Sequence, residues 1–314
     1  MIRIEGLVKH YGEVKAVRGI NFEVRDGEIL GFLGANGAGK STTLKIMTSF
    51  LTPTAGNVFV NDLNILDHSL EIRRQIGYLP ELNPLYTDMR VYDLLEFVAK
   101  IRDITGKSFK QSMARVVEQC GLEGVVHKQV SDLSKGYKQR VGLATAIIHD
   151  PKILILDEPV TGLDPNQIVE IRELIKELGR EKMVVISSHI LQEIEVTVDR
   201  IVIIHNGSLV ADGTRDELMA GFLGKTQLTL EIKNASEDSI GKLGSELENV
   251  AVVRTEPVHG NYVVVMEYDK HDDPRETIFN LAKSENWVLL EISPKKTQLE
   301  DIFRTLTRKE AAHA

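Results

Sequence analysis

"EILGFLGANGAGKSTTLKIMTSF", residues 28–50, is the stretch on which the fold turns. It opens on a near-continuous apolar run, the mark of a strand buried on both faces. It closes on "TTLKIMTSF", which reads as a helix. Between them "GANGAGKST", residues 34–42, matches G-x-x-x-x-G-K-[ST], and a strand before it with a helix behind it is the context that this motif requires. Gly34, Gly37 and Gly39 let the backbone curl until successive N–H groups face phosphate oxygens. Lys40 is then placed for the β- and γ-phosphates and Ser41 for Mg²⁺. Spacing separates this loop from chance. "GKS" recurs at 106–108 and "GKT" at 224–226, but Ile101 and Met219 stand where the first glycine belongs.

Upstream, residues 2–34 alternate short apolar strands with Gly and Asp-Gly turns, which predicts an antiparallel β region. Downstream, "VYDLLEFVAKI" (91–101) and "SFKQSMARVVEQC" (108–120) carry apolar residues at helical spacing, so residues 86–148 read as a mostly helical insert. Strand patterns return at "KILILD" (152–157), "KMVVISS" (182–188) and "RIVIIHNGSLVADG" (200–213), the last with an Asn-Gly hairpin turn at 206–207. After about residue 222 the texture changes. "QLTLEIKN", a helix around 236–247, "VAVVRTE", "NYVVVMEYD", a helix around 274–285 and "WVLLEIS" follow in β-α-β-β-α-β order, the ferredoxin-like order, and "TQLEDIFRTLT" adds a closing helix. The expected domains are therefore 1–222 and 223–314.

At 314 residues the chain is long enough for two cores. Hydrophobic residues at 42% and charged residues at 27% describe a soluble globular protein. A net charge of −8 gives no electrostatic footprint for nucleic acid, which is not expected as a partner. Cys120 stands alone, so no intrachain disulfide can form, and its helical setting makes it a packing residue. "MIRIEGLVKHYG" lacks the apolar core of a signal peptide, and "ILIL" and "IVII" are too short to span a bilayer. Any membrane part is expected on another chain.

Two further stretches carry chemistry. "KILILDEP", residues 152–159, is a buried strand ending in Asp157 and Glu158. Parallel sheets bind ligands at the C-terminal ends of their strands, so Asp157 suits Mg²⁺ and Glu158 suits an attacking water. "DLSKGYKQRVGLA", residues 132–144, reads as a helix N-capped by Ser134, with Gly136 leaving the backbone bare and Lys135, Lys138 and Arg140 close by. Such a helix start favours an anion.

Together these motifs resemble, over about residues 1–220, the ATP-binding subunits of ABC transporters. The resemblance implies an ABC cassette of the P-loop NTPase fold: a mixed-sheet core, an antiparallel β subdomain and a helical subdomain, followed by the ferredoxin-like α+β domain. It implies an ATPase with ATP and Mg²⁺ as cofactors. Asn36, Ala38 and Thr42 join the P-loop glycines, Lys40 and Ser41 as nucleotide-binding positions, and Tyr11 matches the aromatic that stacks on adenine. Lys40, Glu158 and His189, which follows "VVISS", match the catalytic positions. Asp164 of "TGLDP" matches the acid of the loop passing between subunits.

Leu133, Ser134 and Gly136 match a signature that the family writes Leu-Ser-Gly-Gly-Gln, which faces the γ-phosphate of ATP on a second subunit. Lys135 and Tyr137 depart from it. "IGYLPELNPLY" (76–86) puts Glu81 where the family's coupling loop has glutamine; a carboxylate can approach Mg²⁺, making Glu81 a third metal candidate beside Ser41 and Asp157, but it donates no hydrogen bond. Glu81 with "LSKGY" is most similar to exporters of the type-2 permease class, including gliding-motility-associated subunits. The implied partners are a second ATPase subunit, identical or not, and an integral permease at the cytoplasmic face of the membrane. A soluble ABC ATPase acting on ribosomes or DNA is the alternative; it calls for a second P-loop or a long coiled coil, and neither pattern occurs.

Overall fold

Two long strands, β1 (Ile2–Tyr11) and β2 (Val14–Val24), pair antiparallel around the turn at Gly12, which takes a positive φ. Strands β4 (Ala55–Val60) and β5 (Leu63–Asn64) complete a sheet of order β2-β1-β4-β5. The computed structural model describes residues 1–222, 226–236, 239–241, 243, 247, 250–269, 272–295 and 299–308. These form two compact units, one built on Met1–Arg215 and the other on Asp216–Thr305.

The centre of the first unit is a six-stranded sheet. Strands β3 (Ile29–Leu33), β6 (Ile76–Leu79), β7 (Ile153–Asp157), β8 (Met183–Ser188) and β9 (Arg200–His205) run parallel, and β10 (Ser208–Gly213) closes one edge antiparallel, in the order β10-β9-β3-β8-β7-β6. Asn206 and Gly207 both have positive φ, so the predicted hairpin turn forms where these residues tolerate that conformation. Every residue of β3, β7 and β8 is buried, because the sheet is covered on both faces. Leu30, Phe32, Ile153, Ile155 and Val185 point into one core that they share with the antiparallel sheet. Within it the Phe22 and Phe32 rings stack at 5.4 Å, joining the two sheets.

Helix α1 (Lys40–Met47) follows β3 and buries Leu44, Ile46 and Met47 in the same core. Helix α2 (Ser69–Gln75) leads into β6. The helical insert consists of α3 (Val91–Ile101), α4 (Gly106–Cys120), a single 3₁₀ turn at Val130–Asp132 and α5 (Lys135–Ile147). Ser134 caps α5 as its sequence suggests, accepting a bond from the Tyr137 N–H at 3.3 Å. At the other end Arg115 donates to the carbonyls of Ile147 and Ile148, both at 3.1 Å, satisfying acceptors that the helix leaves open. Cys120 is fully buried; burial pushes its thiol up to about 12 despite the nearby Arg140 and Arg115, so it stays a protonated packing residue. The "GKS" tripeptide simply opens α4.

The second unit contains β11 (Thr226–Lys233), β12 (Val250–Val258), β13 (Asn261–Tyr268) and β14 (Val288–Lys295), with helix Arg275–Ser284 and, up to Thr305, the first part of helix Leu299–Arg308. The sheet is antiparallel in the order β12-β13-β11-β14, which is the ferredoxin-like arrangement. Leu228, Leu230, Ile232, Val264 and Met266 anchor its own core together with Ile278 and Trp287. The helix expected around 236–247, and the "GKT" tripeptide, fall in part outside the described residues.

Candidate nucleotide site

The strand order brings the C-terminal ends of β3, β8 and β7 side by side, so residues far apart in sequence meet along one rim. From β3 comes the P-loop. Gly37 and Gly39 have φ of 80° and 112°, values that glycine adopts without strain. A side chain on Gly34 would strike the Ile204 carbonyl, and one on Gly39 the Ala16 carbonyl. The loop is thus wedged between β9 and β2. The Lys40 ammonium is buried and donates to the carbonyl oxygens of Gly34 at 2.8 Å and Ala35 at 3.3 Å.

From β7 come Asp157 and Glu158. Ser41 Oγ lies 3.2 Å from Asp157 Oδ1, joining the P-loop helix to the acidic strand end. Glu158 is only 5% exposed and has φ 52°, a left-handed conformation that is uncommon outside glycine and typical of functional turns. Its Oε1 lies 3.2 Å from Lys40 Nζ, while its Oε2 faces His189 Nδ1 at 2.8 Å and accepts from Thr161 Oγ1 at 3.0 Å. Burial raises the pKa of this carboxyl. The His189 hydrogen bond, Lys40 and Thr161 together outweigh burial and hold it below the usual carboxylate range. Glu158 is therefore ionised at neutral pH.

From β8 come Ser187 and His189. Ser187 Oγ donates to Asp157 Oδ1 at 2.6 Å and accepts from the Glu158 N–H at 2.9 Å. One hydroxyl therefore fixes both acids. Neither Ser187 nor Thr161 is evident as a site residue in the sequence; the only trace of Ser187 is a polar pair ending the apolar strand "VVISS". Tyr78 of β6 stands nearby with its hydroxyl buried. Burial, then the charges of Asp157 and Glu81, keep the phenol protonated well above its ordinary range.

A pocket of about 330 Å³ opens over these groups. It is lined by Asn36, Gly37, Gly39, Lys40, Ser41 and Thr42 of the P-loop, with Ala16, Glu81 and Glu158. Gly34 and Ala38 are buried and do not line the pocket. Tyr11 does not line the pocket. It stands half exposed at the end of β1, with Lys9 Nζ 5.3 Å from its ring centre, while its hairpin partner β2 supplies Ala16. Ser134, Gly136 and Asp164 are also absent from the lining. Ser134 is exposed at the start of α5, and Asp164 caps helix α6 (Pro165–Gly179) by accepting from the Gln167 N–H at 3.0 Å.

A family model described as ABC transporter matches residues 17–161, the span from β2 to Thr161. Over 309 residues the chain is 31% identical to the linearmycin resistance ATP-binding protein LnrL of Bacillus subtilis (strain 168), covering 98% of each. This chain is an ABC transporter ATP-binding subunit. It is also 41% identical over 220 residues to the bacitracin transport ATP-binding protein BcrA of Bacillus licheniformis, covering 69% of this chain and 71% of that one. Among solved structures it superposes on the dimeric bacterial ABC transporter cassette MJ0796 with a TM-score of 0.63 at 25% identity, covering 68% of this chain and 98% of that one. A second model, described as "AAA domain, putative AbiEii toxin, Type IV TA system", overlaps residues 128–195 of the ABC subunit.

Proposed function

We propose that this ABC subunit hydrolyses ATP with Mg²⁺, pairs with a second ATPase subunit around two nucleotides, and drives export through a separate integral permease from the cytoplasmic face of the membrane. The observation that carries this reading is the convergence of Lys40, Ser41, Asp157, Glu158 and His189 on one strand-end rim. Phosphoryl transfer needs positioning and charge neutralisation, and these residues are the parts for both.

The donors fit Mg²⁺. Ser41 and Asp157 offer a hydroxyl and a carboxylate 3.2 Å apart, with Glu81 on the same pocket, all hard oxygen ligands of the kind that hold Mg²⁺ alongside nucleotide phosphates. Among the described residues no cluster of three or more His, Cys, Asp or Glu forms a self-sufficient metal cage, which accords with a shared, nucleotide-borne ion. When bound, the ion neutralises phosphate charge. Lys40 adds a second cation at the β- and γ-phosphates. Glu158, ionised and pinned from three sides, accepts the proton of the attacking water. His189 orients Glu158 through its Nδ1.

Among the described residues no helix is long and apolar enough to cross a membrane. The permease supplies the membrane-spanning part. A cleft of about 610 Å³ beside α2 and α3, lined by Leu70, Ile101, Ile104, Arg73, Arg74 and Arg102 with Asp103 and His149, combines apolar surface with three guanidinium groups and one carboxylate. It suits a permease segment with apolar side chains and a carboxylate. Export is favoured because one relative is named for linearmycin resistance and another for bacitracin transport, and the type-2 permease class rests on Glu81 with "LSKGY". Residues 1–222 are the proposed cassette and 223–314 an accessory domain.

Ser134 is exposed and lies outside the lining of its own chain's pocket, which supports action on the nucleotide of the second subunit. Gly136 is buried against the Gln167 side chain, so its backbone is not bare as its sequence suggests. Mixing Lys40→Ala chains with Ser134→Arg chains tests it. If the signature acts in trans, each heterodimer keeps one site with Lys40 and Ser134 both intact. The mixture then regains ATP-driven dimerisation that neither variant shows alone, and differently sized tags find one chain of each kind. No heterodimer, with both variants folded and exchanging, refutes the assignment.

A further inference from the structure

Helix α5 contains a glycine, Gly142, in its buried middle, where glycine costs a helix about 1 kcal/mol relative to alanine. The space that its missing side chain leaves is filled by Asn83. A Cβ on Gly142 would fall 2.4–2.6 Å from three atoms of the Asn83 amide group. Asn83 Nδ2 donates to the Lys138 carbonyl at 2.9 Å. That carbonyl is the one that the Gly142 N–H addresses within the helix, and its second lone pair is open only because residue 142 has no side chain to cover it. Asn83 reaches it from a tight turn. Its own N–H bonds to the Pro80 carbonyl at 3.0 Å, and its φ of 40° is in the left-handed region that asparagine tolerates better than most residues.

This contact joins two parts of the site. Two residues before Asn83, Glu81 lines the pocket of the P-loop. Four residues before Lys138, Ser134 caps α5. The segment Glu81–Leu82–Asn83 also lines a second cavity together with Lys135, Lys138 and Gln139 near the start of α5. We infer that Asn83 is a positioning residue that clamps the Glu81 loop to the signature helix through Gly142, so that nucleotide seated against Glu81 sets where Ser134 is presented to the second subunit. The inference rests on the trans reading of Ser134 proposed above. The clamp is one hydrogen bond fitted into one methyl-sized gap, and each half can be removed separately.

The experiment uses the full chain with Asn83→Asp, Asn83→Ala, Gly142→Ala and Asn83→Ala/Gly142→Ala, each checked for folding by thermal unfolding. Two quantities are read: affinity of the dilute monomer for a fluorescent ATP analogue, and ATP-driven dimerisation by light scattering. Asn83→Asp keeps the shape but sets a carboxylate against a carbonyl. It should weaken dimerisation about five- to tenfold, the equivalent of one hydrogen bond, with monomer affinity unchanged. Gly142→Ala should act in the same direction by evicting Asn83. The double variant should be no worse than Asn83→Ala, because the new methyl enters the space that the amide has left. Wild-type dimerisation by Asn83→Asp, additive losses in the double variant, or monomer affinity falling in step with dimerisation would each overturn the clamp. A wild-type chain that never dimerises with ATP would overturn the trans reading itself, and the clamp with it.

Discussion

Changing Glu158 to glutamine removes one charge and one proton acceptor while preserving the shape of the side chain. Its consequences can be worked out from the contacts. The carboxylate lies 3.2 Å from Lys40, 2.8 Å from His189 and 3.0 Å from Thr161, so it is both ionised and immobile. Loss of a positioned general base typically costs 10²–10⁴-fold in rate, or about 3–5 kcal/mol of transition-state stabilisation. Binding should move the other way. Glu158 competes with phosphate for Lys40 and adds negative charge to the pocket, so the variant should hold ATP at least as tightly as the wild type.

Stability should fall only modestly. Orphaning a buried ion usually costs about 3–5 kcal/mol, but Lys40 keeps the Gly34 and Ala35 carbonyls. A loss of about 1–2 kcal/mol and a few degrees in Tm is expected. The sign with pH follows from the lowered pKa of Glu158. A carboxyl held below its unfolded value of about 4.3 contributes stability above that pH and loses it as pH falls through the folded value. The stability gap between wild type and variant should therefore close in acid. Phosphate release under single-turnover conditions, with equilibrium ATP binding on the same samples, makes the test. Hydrolysis at the wild-type rate would remove Glu158 from the mechanism.

Two other outcomes follow from the same geometry. If Glu81 helps to hold Mg²⁺, Glu81→Gln should raise the Mg²⁺ concentration for half-maximal hydrolysis several-fold; an unchanged Mg²⁺ titration, with unchanged stimulation by the permease, would make Glu81 a bystander. Because the residues of β11–β14 close a core of their own, a chain ending at Gly224 should remain folded and bind ATP with wild-type affinity, and a soluble, folded truncation that has lost ATP affinity would refute the division of labour.

Local patterns determined much of this protein. The P-loop is legible because its chemistry lies in one contiguous run, where glycine spacing, the lysine and the flanking strand and helix are all neighbours in sequence. The Asn206-Gly207 hairpin and the Ser134 cap are legible for the same reason, since each is satisfied within four residues. Strand runs such as "KILILD" declare themselves because burial on both faces demands continuous apolarity. The order of those strands is another matter. That β3 lies between β9 and β8, and so brings Glu158 from the end of β7 against Lys40, 118 residues away in sequence, and His189, 31 residues away, depends on the crossovers between those strands. No local signal encodes Ser187 as the hydroxyl that holds both acids, or Thr161 as a third support for Glu158, because serine and threonine are common and acquire a role only from what they face. Gly142 shows the limit most clearly: in the sequence it is a mild defect in a helix, and only the folded chain supplies the asparagine that occupies its missing side chain.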